Sequence, residues 1–313
     1  VFSVVTGDRE TGAALVASPS VSMVSFTGSS LTGSKIMEAS APKLSQVALE
    51  LGGKSAMVIF EDTDIECAVE ATIKGCLTNG GQICTAHTRL IVQEGIKDDL
   101  LKKMKNVLEK IPYCKDPITE RERGDRAWET GVTDVIQPVV SASQHEKILG
   151  FLNEVEAAGI EIYTGGRVPD PTDVENSDGY FIQPTILTNV PRDSDAWQKE
   201  IFGPVLSVRS FASEADAITE ANSTAFGLAS TVMSSDPAKA MRVANRIRAG
   251  AVFATSTGEG LLAEHPAVSR GGFGCSGVGR ELGISGLHEY TELKSVNYSG
   301  FSIAEAKENS NHG

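Results

Sequence analysis

Several patterns that mark large function classes are absent from this chain. Basic residues are the minority: 28 Lys and Arg stand against 41 Asp and Glu in 313 residues, a net charge of −13. A phosphate-backbone partner calls for clustered Lys and Arg, so the balance argues against nucleic acid. Cysteine is sparse, and Cys67, Cys76, Cys84, Cys114 and Cys275 include no C-x-x-C pair. This spacing fits neither a zinc site nor a disulfide framework and favours a reducing compartment, with the cytoplasm the expected location. None of the five histidines has the spacing of a metal pair, so no metal is expected. No apolar run reaches the roughly 18 residues of a membrane span, so no membrane partner is expected. An initiating methionine and a signal peptide are also missing. The chain opens in the apolar run Val1-Phe2-Ser3-Val4-Val5, as though inside a domain, and any targeting signal would precede it.

What is present is ordinary globular material, 41% hydrophobic and 22% charged, with room for one large or two medium domains. Strands are expected at Val21–Phe26, Gln46–Leu51, Ala56–Phe60, Arg89–Val92, Glu161–Thr164, Ala229–Met233 and Ala251–Phe253. Helices are expected from Gly28 to about Ala41 and at Asp64–Leu77, Ile96–Ile111, Ser143–Ala158, Glu214–Asn222 and Pro237–Ile247. This alternation predicts an α/β fold around a mainly parallel sheet. Tyr113–Val135 is charged and aperiodic and reads as a solvated loop or insertion. Tyr290–Tyr298 alternates like an edge strand, and the polar tail beyond it is expected to fray.

One stretch concentrates chemistry. Asn79-Gly80-Gly81-Gln82-Ile83-Cys84-Thr85 delivers a cysteine from a glycine turn after a helix. A thiolate attacks carbonyl carbon once its environment favours ionisation, although a cysteine is more often an inert small hydrophobe. A second glycine turn, Thr27-Gly28-Ser29-Ser30-Leu31-Thr32-Gly33-Ser34-Lys35, follows a strand and opens a helix. That geometry offers N–H groups to phosphate, or is a bare βα turn. It is not a P-loop, because Ser34 rather than lysine follows Gly33. Glu50 ends an apolar strand, where a carboxylate either faces solvent or is held for a task. Glu200 stands at the edge of another turn, Ile201-Phe202-Gly203-Pro204. Gly272-Phe273-Gly274-Cys275-Ser276-Gly277 matches G-x-G-x-x-G but follows a loop rather than a strand, and is read as a flexible glycine loop.

Taken together, Phe26-Thr27-Gly28-Ser29, Leu49-Glu50-Leu51-Gly52-Gly53-Lys54, Gly81-Gln82-Ile83-Cys84, Glu200-Ile201-Phe202-Gly203-Pro204 and Ser276-Gly277-Val278-Gly279-Arg280-Glu281 resemble the NAD(P)-dependent aldehyde dehydrogenases in order and near spacing. The resemblance implies that Cys84 is the nucleophile and Glu50 the general base. It implies cofactor contacts from Gly28, Ser29, Gly33, Glu50, Leu51, Gly52, Glu200 and Phe202, with NAD as cofactor and NADP as the other option. It further implies an aldehyde substrate, a homodimer or homotetramer, and an assembly strand at Tyr290–Tyr298. The implied organisation is a dinucleotide-binding part over 1–52, a catalytic domain over 53–274, a return to the first part over 275–289, the assembly strand over 290–298 and a tail over 299–313.

The chain is expected to match the C-terminal two thirds or so of such an enzyme, without the family's oxyanion asparagine and adenosine-ribose lysine. By itself it is then expected to bind NAD weakly. GQICTA and SASQHEKILGF resemble the betaine-aldehyde and aminoaldehyde branch, yet Glu264-His265-Pro266-Ala267 offers only the imidazole of His265 toward an aromatic cage. Two other readings stay open: a CoA-acylating semialdehyde dehydrogenase, against which Glu50 argues, and an inactive scaffold acting through subunit assembly.

Overall fold

The computed structural model describes residues 2–114, 135–174, 178–259 and 265–299. In chain order these contain α1 (Arg9–Ala17), β1 (Met23–Thr27), α2 (Ser30–Ser40), β2 (Gln46–Glu50), β3 (Ala56–Ile59), α3 (Ile65–Leu77), β4 (Arg89–Gln93) and α4 (Lys97–Leu108). Then come α5 (Ala142–Ala157), β5 (Glu161–Thr164), β6 (Thr185–Thr188), α6 (Asp195–Gln198), β7 (Val205–Phe211), α7 (Glu214–Ala221), β8 (Ala229–Met233), α8 (Pro237–Ala244), β9 (Ala251–Thr255), β10 (Gly277–Val278) and α9 (Gly283–His288).

The strands form two sheets. The larger has seven strands in the order β5-β6-β7-β4-β3-β8-β9, all parallel except β5, which runs against β6. Helices cover both faces, so its inner strands are buried almost throughout; β3 is a continuous apolar run, whereas β4, β6, β7 and β8 also carry polar residues. Met57 and Ile59 pack with α3 and α4 residues, whereas Val58 and Ile91 pack with Ile148, Leu152 and Trp197 on the opposite side. The smaller sheet has the order β1-β2-β10; β1 is parallel to β2 with Thr27 opposite Glu50, and β10 is antiparallel with Gly277 opposite Glu50. Buried Leu51 to Ser55 links the sheets, so the end of β2 lies close to the start of β3.

The α/β class and parallel sheet agree with the sequence reading, with four differences. Strands β6, β7 and β10 and helices α1, α6 and α9 are additional elements. The Gly272–Gly277 segment is a tied turn rather than a flexible loop: Phe273 N–H donates to Gly227 O (2.9 Å), Cys275 N–H to Ala225 O (3.0 Å), and Leu51 N–H to Ser276 O (2.9 Å). Tyr290–Tyr298 forms no strand with any described residue, since a strand needs a paired edge; its ordered contacts include Gln46 Nε2 to Glu292 Oε1 at 2.9 Å. The α4 helix ends at Leu108, before Ile111. Most of the expected insertion, 115–134, and the tail from 300 lie outside the described residues. At the insertion's start, Cys114 is buried and its N–H donates to Ile136 O at 2.9 Å.

Candidate active site

Helix α3 begins where the Asp64 carboxylate accepts from the N–H groups of Glu66 and Cys67, and it delivers the chain to Thr78. Asn79, Gly80 and Gly81 then take φ values of 54°, 64° and 73°. Three successive left-handed residues suit Asn and Gly and few others. Gln82 locks this reversal: its Nε2 donates to Asn79 O (3.0 Å), and its Oε1 accepts from Val140 N–H (2.9 Å). A turn from Ile83 to Ala86, closed by a 2.9 Å bond, then presents Cys84 half-buried at its corner.

Three distant motifs meet at this corner through glycines. A Cβ on Gly53 would stand 2.4 Å from the Cys84 carbonyl, one on Gly52 2.1 Å from Glu200 Oε2, and one on Gly81 2.3 Å from the Gly203 carbonyl. At Gly53 and Gly81 the neighbour is backbone and no side chain fits; at Gly52 one would displace the Glu200 carboxylate. Gly53 N–H also donates to Glu200 Oε1 at 3.1 Å, which fixes that half-buried carboxylate. Beside it, Phe202 is held at φ 59° while Gln144 Nε2 donates to its carbonyl at 2.9 Å. A non-glycine residue held there costs on the order of 1 kcal/mol, so its surroundings over-determine it.

Glu50 is 5% exposed, which overturns the solvent-facing option. The cause is topological: β2 is the middle strand of its sheet, with Glu50 opposite Thr27 on one side and Gly277 on the other, and Gly53, three residues on, packs against the Cys84 carbonyl. Burial pushes the Cys84 thiol pKa up, Arg270 opposes that, and Glu200 and Glu50 push it up further, while the Thr85 backbone pulls it down. The Arg270 guanidinium lies at the sulfur, with Nη2 3.6 Å from Sγ. The Glu200 carboxyl is raised by burial and partly restored by Gly53 N–H, Lys147 and Lys54. Burial and the two carboxylates thus oppose ionisation of the thiol, and Arg270 favours it.

The remaining expected cofactor residues lie together at the end of the smaller sheet. Gly28 N–H donates to Glu50 O (3.0 Å), and Ser29 caps α2 by accepting from Thr32 N–H (3.2 Å). A Cβ on Gly33 would stand 2.7 Å from Leu51, so this glycine lets α2 settle on the end of β2.

Behind the corner lies a buried polar seam that the sequence reading leaves unassigned. Arg89 donates through Nε to Lys54 O (2.7 Å) and through Nη1 and Nη2 to Glu220 O and Ala221 O (3.0 and 2.8 Å), capping the end of α7. Burial pulls its pKa down to about 9, which leaves it charged at neutral pH. Burial and then Arg89 bring Lys54 down to about 7. Buried His87 is lowered to about 4 and is therefore neutral, with Nε2 3.0 Å from Thr231 Oγ1.

A cavity of 390 Å³ adjoins the thiol's turn, lined by Thr85, Leu228, Phe253, His265, Arg270 and neighbours. Two larger hollows, of 570 and 600 Å³, contain none of the expected site residues. Phe253 adds a ring to this wall beside the expected His265. Arg270 escapes the sequence reading entirely, because nothing in the local pattern of a loop residue points to a thiol so far away in the chain. Among the described residues no group of three His, Cys, Asp or Glu could hold a metal ion, and no helix is long and apolar enough to cross a membrane.

Comparison with known proteins bears on this arrangement. An aminoaldehyde dehydrogenase of Pisum sativum, named as peroxisomal, is 40% identical over 297 residues, covering 95% of this chain and 55% of its own length. A chloroplastic betaine aldehyde dehydrogenase of Beta vulgaris is 40% identical over 301 residues with the same coverage, 95% and 55%. The crystal structure of a betaine aldehyde dehydrogenase point mutant from Staphylococcus aureus, in complex with NAD+ and with a BME-modified cysteine, superposes with a TM-score of 0.79 at 36% identity. It covers 89% of this chain and 53% of that one. The chain thus spans about half the length of the relatives it matches, less than the two thirds expected from the motifs. The aldehyde dehydrogenase family model matches residues 1–296, and the chain belongs to that family.

Proposed function

We propose that this chain carries the reaction centre of an aldehyde oxidation, with Cys84 as nucleophile, Glu50 as general base and NAD(P) as electron acceptor. The observation that carries the reading is that Gly52 and Gly53, directly after Leu51 and buried Glu50, pack against Glu200 and the Cys84 carbonyl, with both carboxylates close enough to act on the thiol. The Cys84 thiolate attacks the aldehyde carbon: a C–S bond forms, the carbonyl π pair moves to oxygen, and the backbone N–H of Cys84 is the oxyanion donor the chain itself offers. When bound, the nicotinamide supplies an acceptor for the hydride that leaves the sulfur-bound carbon. Cys84 then holds the acyl group as a thioester. Glu50 takes a proton from water, the water oxygen bonds to the acyl carbon, and the C–S bond breaks to release the acid and restore the thiolate.

The residues present suit a dinucleotide. The space at Gly52 that a Cβ would fill is taken by the Glu200 carboxylate, oriented by Gly53 N–H for ribose hydroxyls. The Ser29-capped start of α2 suits a pyrophosphate, with Gly28 and Gly33 allowing the close approach. Leu51 packs against Gly33 of that helix, and Phe202 would pack against the cofactor. Residues 1–52 and 275–289 belong to this cofactor-binding part and 53–274 to the catalytic part, while 290–298 offers a surface for pairing with another subunit. Buried Glu50 favours hydrolysis over transfer of the acyl group to CoA. The names of the relatives make aminoaldehydes and betaine aldehyde the first substrates to offer.

Titration with a thiol reagent, read by peptide mass, tests the reading beside aldehyde-dependent NADH formation. Cys84 should be labelled and protected by NAD, NADH formation should vanish in Cys84→Ala, and Glu50→Gln should slow turnover by about 10²–10⁴-fold. A Cys84 that is inert, or a Cys84→Ala variant that still turns over, would make the chain a scaffold instead.

A further inference from the structure

We infer that Gln144 is a positioning residue: from the first turn of α5 it holds the backbone that carries Glu200 and Phe202, and so sets the Glu200 carboxylate relative to the Cys84 turn. This rests on the reading of Glu200 as a cofactor contact and names what keeps that contact in place. Gln144 Nε2 donates to two consecutive carbonyls, Ile201 O at 3.1 Å and Phe202 O at 2.9 Å. Two acceptors facing one amide fix which end is the NH2, and both of its N–H groups are committed to the turn that follows Glu200.

That turn needs a restraint. Phe202 sits at φ 59°, a conformation that a residue with a Cβ keeps only where its neighbours impose it. The same helix closes a second side, since a Cβ on Gly203 would stand 2.4 Å from Ile148 Cδ1. Lys147, also on α5, is near enough to favour the charged form of Glu200. The carboxylate is therefore held at both ends: Gly53 N–H donates to Oε1 at 3.1 Å, and Gln144 fixes the backbone on which the side chain stands.

Helix α5 is in turn fastened to the nucleophile turn. Just before the helix, Val140 N–H donates to Gln82 Oε1 at 2.9 Å, and Gln82 Nε2 reaches Pro138 O at 3.4 Å. Ser141 Oγ then accepts from Gln144 N–H at 3.3 Å, which caps the helix and fixes where the Gln144 side chain starts. The third side is the contact of Gly81 with the Gly203 carbonyl, 2.3 Å from where a Cβ on Gly81 would stand. The Cys84 turn, the start of α5 and the Glu200 turn thus form a closed frame, and Gln144 bonds two of its sides together. Without its two donors Phe202 is free to leave the left-handed region, and Glu200 moves away from Gly53 N–H.

The Gly53 amide reports the place of Glu200 without any turnover. Gln144→Met keeps the side-chain length and removes both donors, whereas Gln144→Glu keeps the shape and sets a carboxylate against two carbonyls. In amide hydrogen exchange followed by NMR, Gly53 should exchange about ten-fold faster in Gln144→Met and faster still in Gln144→Glu. The β4 amides of Leu90 and Ile91 should keep their parent rates. Gln144→Lys restores donors at a similar reach and should recover most of the Gly53 protection. Protection of Cys84 from a thiol reagent by NAD gives the functional readout. The half-protecting NAD concentration should rise about ten-fold in Gln144→Met, with the labelling rate in the absence of NAD unchanged. In turnover the change should appear in KM for NAD and leave KM for the aldehyde as it is.

Gly53 exchange at the parent rate in Gln144→Met overturns the inference, because Glu200 then stands without Gln144. Equal acceleration of Gly53 and the β4 amides overturns it too, because Gln144 then only supports the fold. Faster Gly53 exchange with unchanged NAD protection supports the placement and sinks the reading of Glu200 as a cofactor contact. If NAD fails to protect Cys84 even in the parent chain, that reading falls by itself, and the Gly53 amide still decides the role of Gln144.

Discussion

In the seven-stranded sheet, β3, β6 and β8 are buried along their whole length; in the three-stranded sheet, β1 is half-open and its neighbour α1 buries no residue. The larger sheet packs helices on both faces through two extensive apolar clusters, whereas the smaller rests on Ile36, Leu49 and Leu51. The candidate site draws on both. Cys84 and Glu200 belong to segments flanking the large sheet's strands, and Glu50 and the Ser29-capped helix belong to the small one. The contrast teaches that the proposed nucleophile is held by a deep core while the proposed base and cofactor cradle stand on a thin one, joined by the Leu51–Ser55 seam.

The largest expected effect falls in the deep core. Trp197 is fully buried, donates through Nε1 to Ser223 Oγ at 2.7 Å, and lies under the Arg89 and Arg209 guanidiniums at 5.0 and 5.5 Å. Trp197→Ala should cost about 3–5 kcal/mol in denaturant unfolding. A loss below about 1 kcal/mol would remove the contrast between the sheets. Next comes the thin core, where Leu49→Ala should cost about 2 kcal/mol, since its few neighbours can close in. Hydrogen exchange locates the damage: amides of β1 and β2 should exchange faster while those of β3 stay protected. Equal acceleration in both sheets would show that they open as one unit.

The smallest effect belongs to the seam and depends on pH. Burial brings the Lys54 pKa down to about 7 in the folded chain, against an ordinary value of 10.5. Between those values the unfolded chain holds the extra proton, so stability rises with pH. The rise due to Lys54 is about 1 kcal/mol between about pH 7 and pH 8, and Lys54→Met should remove it while raising stability at pH 7. An identical pH dependence in the two proteins would mean that Lys54 keeps its proton in the fold.

Much of this architecture is legible in the sequence wherever local pattern and tertiary role agree. The apolar runs at β3, β4 and β8 and the glycine turns before Cys84 and after β1 are of that kind. Strand β7 is masked because its polar residues are satisfied from elsewhere: buried Ser207 donates to Ala196 O at 2.6 Å, and Arg209 pairs with Glu220 at 2.9 Å. Helix α1 lacks an apolar stripe because it has no fully buried residue and only Val16 packs against the small core. The burial of Glu50 follows from the return of β10 to the edge of β2, a pairing no local pattern announces. Arg270 reaches the thiol from a loop, and only the folded backbone brings the two together.

Cys84 as the acyl carrier is the claim on which the rest depends. The direct measurement is peptide mass analysis after acid quench of the Glu50→Gln chain mixed with NAD and an aminoaldehyde or betaine aldehyde. The account predicts an acyl group on the peptide that contains Cys84, absent when NAD is omitted and lost in Cys84→Ala. Acylation of another cysteine, or of none while NADH still forms, would contradict it.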